Sequence, residues 1–68
     1  MIFVHRLNGK QFVVNCELIK FIESTPDTLI TLLSGEKLMV KETLEEVLTA
    51  TMDYRKRLYQ EKPGTGWT

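Results

Sequence analysis

A chain of 68 residues makes one small domain; with one cysteine, one histidine and nine basic residues balancing nine acidic ones, it has few chemical options. Domains this small bury only about 60% of their unfolded surface and usually depend on a disulfide, a metal or a second copy. Cys16 alone excludes an internal disulfide, the lone His5 lies too far from it for a zinc spacing, and zero net charge lacks the basic excess that phosphate recognition needs.

No apolar run nears the roughly 20 residues that cross a bilayer. "MIFVHRLNG" has no basic leader, long apolar stretch or cleavage site, so it does not read as a signal peptide, and the single thiol suits a reducing compartment. The expected setting is the cytoplasm. Residues 2–7, rich in β-branched and aromatic types, predict a first strand. Asn8-Gly9 predicts a two-residue type I′ turn, because both residues tolerate positive φ, and "KQFVVN" returns as strand two. "ELIKFIEST" predicts strand three, with a helical turn at Glu17–Lys20 as the alternative over its start. "TPDT" turns the chain, "TLITLL" is strand four, "SGEK" turns it again and "KLMV" is strand five.

From Thr43 the period changes. Leu44, Val47, Leu48, Thr51 and Leu58 fall on one helical face, with Met52 and Tyr54 at its edges. Thr43 and Glu46 form an S/T-x-x-E capping box, and Pro63-Gly64 ends the helix near residue 61. The expected fold is α+β: a small antiparallel sheet or partly closed barrel of about five short strands, followed by one C-terminal amphipathic helix. It forms a single domain over residues 1–61 with a flexible tail over 62–68.

The strands do not alternate as a sheet with one wet face should. "IFV", "FVV" and "LMV" put apolar side chains on both faces, and one helix covers only one. Either the sheet curls into a barrel with an extra layer or a second subunit covers the other face; self-association through the sheet is the favoured expectation, and Leu29 and Ile30, adjacent in strand four, must point to opposite faces. Cys16 with His5 is the sole thiol–imidazole pair, better explained as a buried cysteine and a strand polar residue than as a catalyst. Glu42, Glu45 and Glu46 are expected in the helix's first turn, complementing its dipole. Arg55 falls within the apolar stripe, where its stem packs and its head reaches water, or its guanidinium pairs with a carboxylate or backbone carbonyls across an interface. Trp67 is expected to be exposed and available as an anchor. Catalytic, cofactor-binding and metal-ligating residues are none, and the candidate interaction residues are Arg55, Tyr54, Trp67, Leu29 and Ile30.

"LNG" at 7–9, Asn15, "LI" at 18–19, "IE" at 22–23, "TPDT" at 25–28, Gly35, "VKE" at 40–42 and "YR" at 54–55 together resemble the small flagellar FlbD/SwrD-like family over about residues 1–58. The resemblance implies a cytoplasmic, non-enzymatic protein of bacterial flagellar operons, associated with swarming and with support of the motor and its torque-generating stators. It implies a flagellar motor or stator-associated protein as partner; the strand pattern adds a homo-oligomer, and the residues themselves lead to the expectation of no membrane insertion and no cofactor. A small RNA-binding regulator is the alternative, since five strands and a helix also describe the carbon-storage regulators; neutral charge and the absence of their "LTR" and "GI" patterns count against it. A purely self-assembling structural subunit is the third reading.

Overall fold

The computed structural model describes residues 1–60, and side chains as far as Leu58. The expectations for Trp67, for the 62–68 tail and for the helix stop at Pro63-Gly64 lie outside the described residues. Among the described residues, five short strands and one helix follow in chain order: β1 Ile2–His5, β2 Gln11–Val14, β3 Ile19–Ser24, β4 Thr28–Leu32, β5 Lys37–Val40 and α1 Leu44–Gln60.

β1 and β2 pair antiparallel from Ile2↔Val14 to His5↔Gln11. Their turn corrects the two-residue type I′ expectation. Arg6 N–H donates to Lys10 O at 2.8 Å and Gly9 N–H to Arg6 O at 2.8 Å, so the loop holds three residues, Leu7, Asn8 and Gly9. The left-handed position is Gly9, at φ 93°, as in a three-residue loop closed by a glycine bulge. Asn8 contributes by side-chain bonding instead: its Oδ1 accepts from Lys10 N–H at 3.0 Å.

β4 and β5 are joined the same way. Leu32 N–H donates to Glu36 O and Gly35 N–H to Leu32 O, with Gly35 at φ 96°. Leu-Asn-Gly and Leu-Ser-Gly are one loop used twice.

Between the hairpins, Asn15 Oδ1 accepts from Glu17 N–H at 3.0 Å and caps a single 3-10 turn, Cys16–Leu18. That cap delays strand three to Ile19, so the helical-turn alternative over its start is the nearer description. β3 pairs with β4 from Ile19↔Leu32 to Ser24↔Thr28, slipping by one residue at Lys20, and β4 pairs with β5 from Thr28↔Val40 to Thr31↔Lys37.

The result is two antiparallel sheets, β1-β2 and β3-β4-β5, and no closed barrel. The 3-10 turn keeps β2 and β3 from pairing, and β1 meets β5 only at one corner, through the Arg6↔Val40 bridge and the Lys41 N–H donated to His5 O at 2.9 Å.

Alternation along each strand builds a single core. Ile2, Val4, Val14, Cys16, Ile30 and Val40 point inward and are closed over by Val47 of α1, while Phe12, Ile22, Leu38, Ala50 and Tyr54 pack around them. Each fully buried Val or Ile contributes about 1.5–3 kcal/mol relative to exposure. The helix starts where the sequence places it. Thr43 N–H donates to Glu46 Oε1 at 2.9 Å and Glu46 N–H to Thr43 Oγ1 at 3.1 Å, a reciprocal capping box.

Candidate interaction surface

The outward residues of the same alternation are apolar too. On the hairpin, Phe3 stands opposite Val13, and both are exposed, Phe3 by 65%. The second sheet presents two adjacent rows, Glu23–Leu29–Met39 and Phe21–Thr31–Lys37. Phe21 and Met39 are exposed and Leu29 is half-buried, so an apolar centre is bordered by one acid and one base. Thr31 is covered by its neighbours, and its hydroxyl has no hydrogen-bond partner among the described groups. Among the described residues, eleven large apolar side chains are exposed against seven in the core. Scattered apolar side chains on a surface are ordinary, but paired ones in cross-strand rows make a patch.

Leu29 and Ile30 separate as their adjacency requires. Ile30 is 0% exposed at the centre of the core, and Leu29 lies on the outer face. Of the other interaction candidates, Tyr54 is half-buried against the core and Arg55 is exposed. Arg55 stands outside the buried stripe because that stripe runs through Val47, Ala50 and Tyr54, with Leu44 and Thr51 at its margin. Leu48 and Leu58, expected on the core face, are exposed. The spacing of Val47, Ala50 and Tyr54 was readable in the sequence, but alanine and tyrosine weigh less than leucine when an apolar face is sought.

His5 does not meet Cys16, which is buried in the core. It meets Glu42, which lies just ahead of the capping Thr43 rather than in the helix's first turn. One carboxylate oxygen accepts the His5 backbone N–H at 2.9 Å and the other lies 2.6 Å from the ring Nδ1. Partial burial pushes the Glu42 carboxyl up. The hydrogen bonds from the His5 ring, the His5 backbone and its own backbone N–H, with the His5 charge, outweigh that and hold it below the usual 4.5. This clamp ties the first hairpin to the entry of the helix, and no sequence motif announced it. Among the described residues no three His, Cys, Asp or Glu gather as metal ligands, and no helix is long and apolar enough to cross a membrane.

A family model described as flagellar and swarming motility proteins matches residues 1–59. No curated protein and no solved structure matches the chain.

Proposed function

The chain belongs to the FlbD family of flagellar and swarming motility proteins, and from that membership we propose that it supports the flagellar motor, at its torque-generating stators, by protein–protein contact. On this reading it is a non-enzymatic cytoplasmic protein, and its contact surface is the outer side of the sheets. The observation that carries the reading is the apolar centre of Phe21, Leu29 and Met39 set between Glu23 and Lys37. Such a centre with a polar border is the usual anatomy of a contact patch between proteins.

The test is deletion of the gene in a flagellated host, followed by measurement of swarming and of motor torque under viscous load. Flagella are expected to assemble while swarming and torque fall, with rescue by the wild type. Phe21→Asp, checked for folding by circular dichroism, is expected not to rescue. A deletion strain that swarms with full torque would sink the role, and full rescue by Phe21→Asp would remove this face from it.

A further inference from the structure

The solvent side of α1 has a pattern of its own. Glu45, Leu48, Met52 and Arg55 follow one another at spacings of three, four and three residues, the rhythm that keeps side chains on one side of a helix. All four are exposed, Met52 by 67%, and they lie to one side of the Val47–Ala50–Tyr54 stripe that packs on the sheets. The order acid, apolar, apolar, base is what a two-fold contact requires, since its spacing reads the same from either end.

Two such helices laid antiparallel about an axis between Leu48 and Met52 set Leu48 of each copy against Met52 of the other. Glu45 of each then faces Arg55 of the other, with Lys56 beside it. A parallel arrangement instead stacks Glu45 on Glu45 and Arg55 on Arg55, so charge selects the antiparallel one. Within one chain, the ion pair found among the described residues is His5–Glu42, which leaves both Glu45 and Arg55 without such a partner there. A guanidinium amid apolar side chains suits pairing with a carboxylate at an interface, because its planar fork is already organised for it.

We propose that the chain forms a two-fold dimer through antiparallel packing of α1, the second copy's helix covering the Glu45–Leu48–Met52–Arg55 stripe. The assembly that the two-faced strands suggested is thus placed on the helix, and the outer sheet faces stay open. The proposal does not depend on the motility role.

Sedimentation of the full chain at about 100 μM suits a contact of this kind, because interfaces below about 1,200 Å² sit at the weak end of association. The wild type is expected to be a dimer. Arg55→Glu and Met52→Asp, both at exposed positions, are each expected to raise the dissociation constant by about tenfold or more while circular dichroism stays unchanged. The exchanged pair Glu45→Arg with Arg55→Glu is expected to recover the dimer, which a merely structural effect of either change would not do. A monomeric wild type overturns the proposal, as does undiminished association of either single variant or failure of the exchanged pair to recover. Loss of the dimer in Leu29→Asp, with Arg55→Glu unaffected, would return the contact to the sheet.

Discussion

Where β1 meets the entry of the helix, one carboxylate accepts both the backbone and the ring of His5 across 37 residues of sequence. Because folding lowers the Glu42 pKa, the folded state binds its proton less readily than the unfolded chain does. Its contribution is therefore fully present above the unfolded carboxylate value of 4.5 and is lost as pH falls through the lowered folded value. Glu42→Gln is expected to cost about 2 kcal/mol at neutral pH, the range of hydrogen bonds to a charged group. The cost should shrink in acid, where the native carboxyl is protonated as well. Urea unfolding of both proteins across the acid range checks this, and an equal difference at every pH would refute it. Residue by residue, the sequence revealed what neighbours specify, such as the Thr43–Glu46 capping box. It could not reveal Glu42 with His5, since nothing local to either residue encodes a partner so far along the chain.

At the level of elements, strand four carries the sharpest contrast. Ile30 faces the core and Leu29 the outer side, so the two aspartate variants should part company. Ile30→Asp buries an unpaired carboxylate, at several kcal/mol against a total of roughly 5 or less for so small a core, and is expected to leave the chain unfolded. Leu29→Asp puts its charge beside water and between Glu23 and Met39, and is expected to stay folded with a modest loss. Far-ultraviolet circular dichroism with thermal melting separates them; similar melting of both would mean that the two faces are not distinct. The five strands and the helix were legible because hydrophobic period and turn glycines are local signals. The loop type was not, since Asn-Gly fits either a two-residue or a three-residue hairpin until the Arg6–Lys10 pairing decides. The helix's inner face differs from the expected one because Ala50 and Tyr54, not Leu48, are what the sheets accept.

For the whole molecule, the α+β fold of five short antiparallel strands and a C-terminal helix is as expected, and the strands divide into two sheets that share a core without closing into a barrel. No residue pattern encodes that division; it follows from the 3-10 turn at Cys16–Leu18 and from the short overlap of β1 with β5. The apolar residues of the outer faces were legible as a surplus, whereas their arrangement in rows needed the register. The single corner between the sheets has a dynamic consequence. Hydrogen bonds inside each hairpin survive if the sheets part, but the Lys41 N–H bonded to His5 O does not. Its deuterium exchange therefore times the separation of the two halves, while amides at the centre of β4 report full unfolding. Lys41 is expected to exchange faster than Ile30, and Glu42→Gln to speed Lys41 while leaving the gap between Ile30 exchange and global unfolding unchanged. Matched rates at both amides in both proteins would mean that the halves open only together, making the corner as strong a joint as any strand pair.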